Sequence, residues 1–301
     1  MNGSWSNGAV KVRIGISATT RADRFAETVD LAEALGVDSL WLSEIVLGSS
    51  VEPVVGMGYA LARTTRLKVG TGVAILPGRH PVLVAKQLLS LAALAPKRVL
   101  PAFGLTPARP RERAFFPVPG ESRGAVFDES MELLRLLLRQ ERVTFKGEFH
   151  TVEDVGVGPL PARPLDIWLG GSGPRALRRV GRFGDGWLAS FVTPEEAGTA
   201  RATIRAHAAE AGREIEEDHY GVSFAVATQG VSEDLAAAVL RRRPDADLAA
   251  FVPEGWQAAR DLIERYVAQG ITKFVVRPAG PAPSMERFLH DFARELKPME
   301  T

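Results

Sequence analysis

Two runs of glycine carry the first chemical signal in this 301-residue chain. In IWLGGSGPRALRRVG (167–181), apolar residues lead into Gly170, Gly171 and Gly173, and from Pro174 the sequence reads as a helix. Glycines without a Cβ let backbone N–H groups close around an anion, and a helix N-terminus favours negative charge. Ser172 adds a hydroxyl donor, and Pro174 suits the first helical turn. Gly171, Gly173 and Ala176 also stand in the order of a degenerate dinucleotide fingerprint, which a Rossmann unit places after its first strand. A tight strand-to-helix turn without a ligand fits the same residues. The second run is KVGTGVAILPGRHP (68–81), where Gly70 and Gly72 interrupt a strand. Glycine inside a strand marks a bulge or the close approach of a ligand.

Other chemistries are excluded or unsupported. The chain has no cysteine, so disulfides, thiolate metal sites and a cysteine nucleophile are ruled out. His150, His207, His219 and His290 are scattered without ligand spacing, so no metal is expected. A net charge of +1 gives no basic field for nucleic acid. No stretch approaches the length of apolar chain that a membrane span needs. The polar start MNGSWSNGAVK has no apolar signal-peptide core, and a cytoplasmic location is expected.

The elements that must position the glycines alternate along the whole chain. Strands are predicted at 10–17, 37–43, 66–76, 98–104, 164–170, 185–191, 219–229 and 271–278, with helices between them. Phe127, Met131, Leu134 and Leu138 mark one apolar stripe on the helix at 124–139. Eight β-α units with mostly apolar strands predict an α/β protein, a closed (β/α)8 TIM barrel in a single domain over 1–301. Four units precede the turn at 170–173, which weighs against a Rossmann start. In a barrel the same glycines fall on the C-terminal face, where barrel active sites lie. Two stretches exceed simple loops: 104–123 after strand four, and 140–163 before strand five, which contains a small hairpin. Segments of this length in barrels serve as lids or substrate walls, or as surface decoration.

Six pieces in order resemble the luciferase-like monooxygenase superfamily, specifically its coenzyme F420-dependent oxidoreductases. They are GVDSLWLSE (36–44), GTGVAILPGRHPVLVAKQLLSL (70–91), RGAVFDESMELLRLLL (123–138), FKGEFHTVED (145–154), PLDIWLGGSGPRALRRVGRFGDGWL (164–188) and GITKFVVRP (270–278). The resemblance implies a non-prolyl cis peptide at Gly72–Val73, a ring site at Gly72, Val73 and Ala74, and cofactor phosphate at Gly170, Gly171, Ser172 and Gly173. It also implies hydride transfer between the deazaflavin and a small organic substrate, and a homodimer through helices near the first three strands. Many members read Ser-Asp-His after strand two, where this chain has Ser43, Glu44 and Ile45. Isoleucine cannot carry a proton, so Glu44 is left to bond the ring, to act as acid or base, or to form a rim salt bridge. Four further residues complete the candidate site. His80 reads either as facing the active site or as a helix cap, Arg79 as meeting an anionic cofactor tail or, in preference, solvent, and Thr71 and Gly104 as ends of strands three and four. Phe115 and Phe116 wall a substrate pocket or pack a lid on the barrel. An FMN-dependent monooxygenase and a barrel that has lost its cofactor are the alternatives.

Overall fold

The computed structural model describes residues 11–301 apart from 19, 121, 246 and 281–283. The polar stretch at 1–10, in which no signal peptide was read, lies outside the described residues. Short β-branched and apolar runs form the inner staves: β1 (Arg13–Ser17), β2 (Ser39–Leu42), β3 (Lys68–Thr71), β4 (Ala74–Ile75), β5 (Val99–Leu100) and β6 (Ala102–Gly104). An exposed antiparallel hairpin follows, β7 (Val143–Lys146) and β8 (Thr151–Val155), in the second predicted insertion. The wall is completed by β9 (Trp168–Gly170), β10 (Gly186–Ser190), β11 (Tyr220–Val226) and β12 (Lys273–Pro278).

All ladders of the main sheet are parallel, and β12 pairs with β1. The third and fourth predicted strands are each broken in two. β3 pairs with β5 and β4 with β6, so the ten segments are eight staves of a closed barrel. Pro101 interrupts the fourth stave because it brings no N–H to the ladder. Across the break in the third, the Thr71 hydroxyl accepts from the Ala102 N–H at 2.8 Å and donates to the Ala102 carbonyl at 2.6 Å. That side chain replaces the missing rungs.

Nine helices stand outside the wall among the described residues: α1 (Phe25–Ala34), α2 (Pro53–Arg63), α3 (Pro81–Leu94), α4 (Arg123–Leu137), α5 (Pro174–Phe183), α6 (Pro194–Glu210), α7 (Glu233–Arg242), α8 (Gly255–Ala268) and α9 (Met285–Glu295). Proline opens α2, α3, α5 and α6, where its fixed φ fits and its lost N–H is not missed. Outward strand residues such as Ile14, Ile16, Leu40, Val69, Phe274 and Val276 bury against the helices. The alternate residues Trp41, Trp168, Leu188 and Val275 fill the barrel interior. Its base is polar: Lys273 Nζ donates to Ser39 Oγ at 2.8 Å and to Asp38, which also binds Lys68 at 2.9 Å. Coulombic attraction from both lysines outweighs burial and holds the Asp38 carboxyl well below the usual carboxylate range. Among the described residues no helix is long and apolar enough to cross a membrane.

Candidate active site at the barrel mouth

At the C-terminal ends of the staves the packed interior gives way to a ring of partly exposed residues, called the well below. Ser43, Gly72 and Val73 keep solvent contact on one side, Gly170 on the next, and Ser190, Ser223 and Arg277 across from them. One layer deeper Trp41 and Trp168 are buried. The rim is therefore built from small side chains, with one arginine.

The floor of the well is a bulge between β3 and β4. The Gly72–Val73 peptide is cis. Its Gly72 carbonyl accepts from the Ser43 hydroxyl at 3.0 Å, and the Gly72 N–H donates to the Leu42 carbonyl at 2.8 Å. Val73 lies between two glycines on the next staves. A Cβ on Gly104 would stand 2.6 Å from its Cγ2, and one on Gly170 would stand 3.2 Å from its Cγ1. Neither position tolerates a larger residue without moving the valine, which is stiff at χ1.

Glu44 locks this bulge from behind. Its carboxylate, 4% exposed, accepts from the Ile75 N–H at 2.6 Å and from Arg79 through both oxygens. Arg79 also donates to the Ile75 carbonyl at 2.6 Å and lies over the Phe116 ring at 5.1 Å. Arg79 thus does not face solvent as the sequence suggested. A buried carboxylate 35 positions away in the chain recruits it. Of the two phenylalanines of the first insertion, Phe116 is buried in this contact, while Phe115 is half exposed. Glu112 of the same insertion, fully buried, accepts from the Leu47 N–H at 3.0 Å and ties the insertion to the loop after β2.

The predicted site residues are only partly brought together. Ser43, Gly72, Val73, Gly104 and Gly170 converge on the well. Thr71 uses its hydroxyl in the wall, and Ala74 turns into the core beneath the helices. His80 is exposed at the N-cap of α3, where Nδ1 accepts from the Val82 N–H at 3.3 Å. Its ring meets His150 of the hairpin edge-on at 5.5 Å, and His150 bonds Ser130 at 3.0 Å. Burial pulls the His150 pKa below the ordinary histidine value.

The glycine turn leads from the well to α5. Gly171, Ser172 and Gly173 are exposed, Gly171 has φ +107°, and a Cβ on Gly173 would meet nothing within 4 Å. Side chains cap α2, α3, α4, α6, α7 and α9 but not α1, α5 or α8, and α5 opens on Gly173. Pro174 brings no N–H and the Ala176 N–H donates to the Gly173 carbonyl at 2.8 Å, so an anion here would meet the N–H groups of the turn and of Arg175. Sequence reasoning missed the brace behind this turn: Trp187 Nε1 donates to the Gly171 carbonyl at 2.8 Å. Asp185, which the sequence offers only as fixing the turn into strand six, is a hub near the base that binds Arg135, Arg139 and Arg213. Glu216, Asp218 and His219 bring ligand-type atoms within 4.8 Å of one another beside the start of β11, a grouping that chain spacing did not reveal. The two carboxylates are ion-paired with Arg163 and Lys11, at the end of the barrel away from the well.

A family model described as luciferase-like monooxygenase matches residues 8–290. An F420-dependent glucose-6-phosphate dehydrogenase of Kineococcus radiotolerans is 32% identical over 175 residues, 55% of this chain and 51% of that one. The chain spans about half the length of the curated relatives it matches. Among solved structures, an F420-dependent secondary alcohol dehydrogenase in complex with an F420–acetone adduct superposes with a TM-score of 0.80. That match is 20% identical and covers 97% of this chain and all of the other. The oxygenating constituent of 3,6-diketocamphane monooxygenase from Pseudomonas putida, in complex with FMN, gives 0.72 at 16% identity, covering 97% and 99%. These two likenesses carry the fold.

Proposed function

The chain belongs to the luciferase-like monooxygenase family, and from that premise we propose that it is an F420-dependent oxidoreductase acting on a small organic molecule. The observation that carries the proposal is the solvent-reaching well whose floor is Val73, set between Gly104 and Gly170. A planar ring needs a flat apolar floor and small neighbours. The stretch from Gly170 to Gly173, with an α5 N-terminus that no side chain caps, offers an anion site beside that floor. The F420 dependence named for relatives such as the Kineococcus enzyme supports the choice of deazaflavin.

Gly104, Gly170 and Val73 would hold the ring, and the N–H groups around Ser172 would hold the phosphate. When bound, the cofactor supplies two-electron hydride chemistry. The chain's own residues orient and shield. The Ser43 hydroxyl fixes the Gly72 carbonyl, and the Glu44–Arg79 pair fixes the far end of the bulge. Glu44 spends its acceptors on Arg79 and the Ile75 N–H, so we assign it positioning rather than proton transfer. His80 is assigned to capping α3 and packing the hairpin. Exposed Val55 and Tyr59 on α2, with Leu83 and Leu94 on α3, support the expected homodimer through the helices beside the first three strands.

Titration of the protein with oxidised F420 and with FMN, followed by cofactor fluorescence, tests the reading. Saturable F420 binding is expected. Binding of FMN alone would assign the chain to the monooxygenase chemistry, and binding of neither would make it a barrel without a cofactor.

A further inference from the structure

One cation at the well has no side-chain partner among the described residues. Along β12, Lys273 and Val275 point into the barrel, Lys273 onto Ser39 and Val275 onto the interior cluster, while Phe274 and Val276 pack under the helices. Strand alternation places Arg277 on the inward face, at the mouth. It is half-buried, yet it makes neither a hydrogen bond nor an ion pair with any described residue. Burial alone pulls its pKa below the ordinary arginine value, with no neighbouring charge acting on it. The other mouth arginine, Arg79, is committed to Glu44.

Arg277 stands between an apolar cluster and the solvent-reaching serines of the neighbouring staves. It pairs in register with Ala225, two residues beyond Ser223, and Ser223 pairs with Ser190 on β10. Both serines reach solvent on the inward face. The mouth therefore has two unlike halves. Staves three to five offer Val73 and glycines, and staves six to eight offer Ser190, Ser223 and Arg277. A half-buried guanidinium with no counter-charge among the described residues can take an anion that enters with its own hydrogen-bond acceptors. A planar fork matches a carboxylate through two parallel bonds. With no second cation acting on Arg277, a single negative charge balances it, and a dianion is left half neutralised.

We propose that Arg277 is a specificity-determining residue that recognises the carboxylate of a small organic acid, held against the ring site from the opposite half of the mouth. The proposal deepens the functional reading above and rests on it for the identity of the ring.

The test uses the full chain, with and without saturating F420. Acetate, propionate, benzoate and phenylacetate are titrated by calorimetry beside their neutral amides and beside inorganic phosphate. At least one acid is expected to bind tenfold or more tightly than its amide and than phosphate. Arg277→Met is expected to erase that preference, Arg277→Lys to keep part of it, and the F420 dissociation constant to stay within about threefold. The proposal is overturned if no acid outbinds its amide in the wild type, or if phosphate binds best when saturating F420 fills the site around Ser172. It is also overturned if Arg277→Met weakens F420 instead of the acids, which would assign the arginine to the cofactor. The wild-type comparison of acid with amide does not depend on the variants folding. Absence of F420 binding with the acid preference intact would sink the cofactor reading and leave the carboxylate site standing.

Discussion

Removing Arg79 should cost more than neutralising Glu44, although the two form one ion pair. The Glu44 side chain is 4% exposed and that of Arg79 is 27% exposed. In Arg79→Met the carboxylate stays buried and charged, with only the Ile75 N–H at 2.6 Å to satisfy it. An uncompensated buried charge costs about 3–5 kcal/mol, and the surviving hydrogen bond places this case near about 3 kcal/mol. In Glu44→Gln the amide oxygen still accepts from Ile75, and the partly exposed guanidinium can turn to water. The loss there is that of a charge-assisted bond, about 1–2 kcal/mol. Urea unfolding of both variants, with m-values compared to check that the denatured states match, gives the two numbers. Both substitutions loosen the bulge and should weaken F420 binding, Arg79→Met the more. Equal costs for the two variants, or costs below about 0.5 kcal/mol for both, would refute the claim that this pair locks the bulge.

Three further outcomes follow from the same geometry. Gly104→Ala places a methyl 2.6 Å from Val73 Cγ2 and should destabilise by about 1–3 kcal/mol while weakening F420 binding; unchanged affinity would remove Val73 from the floor. Ser172→Asp should leave stability equal or raised, since an acid near the α5 N-terminus is favourable by about 0.3–1 kcal/mol, yet weaken F420 about fivefold by repelling phosphate. Tighter binding in that variant would contradict the anion site. Asp38→Asn strands Lys273, 8% exposed, without its counter-charge and should cost about 3–5 kcal/mol by denaturant titration. Because the folded Asp38 carboxyl titrates below its unfolded value, its stabilisation is complete above about pH 4 and fades as pH falls below that. The acid limb of the stability curve should accordingly flatten in the variant, and an unchanged limb would deny Asp38 this role.

Periodicity and punctuation made the barrel legible. Strand runs bounded by Gly36, Pro81 and Pro174 mark staves and helix starts, and the run of Phe127, Met131 and Leu134 marks the buried side of α4. The glycine pattern at 70–73 and 170–173 located the bulge and the turn, because glycine reports a local backbone need. What the sequence hid are partnerships across space. Arg79 looks like any surface arginine until strand two delivers Glu44 beside it. The Thr71 hydroxyl cannot be seen to replace ladder bonds until Pro101 breaks the neighbouring stave. Trp187 reads as barrel core or rim, and its indole N–H gains a purpose only when the Gly171 carbonyl lies within reach. Arg277 is the converse case: its significance is the lack of a side-chain partner among the described residues, which no local pattern encodes.

A crystal structure of the protein soaked with oxidised F420 tests the central claim most directly. The account predicts a three-ring density stacked on Val73 between Gly104 and Gly170, with the phosphate against the N–H groups of residues 171–173. A ring bound elsewhere, or a mouth closed by side chains with no density at that floor, would contradict it.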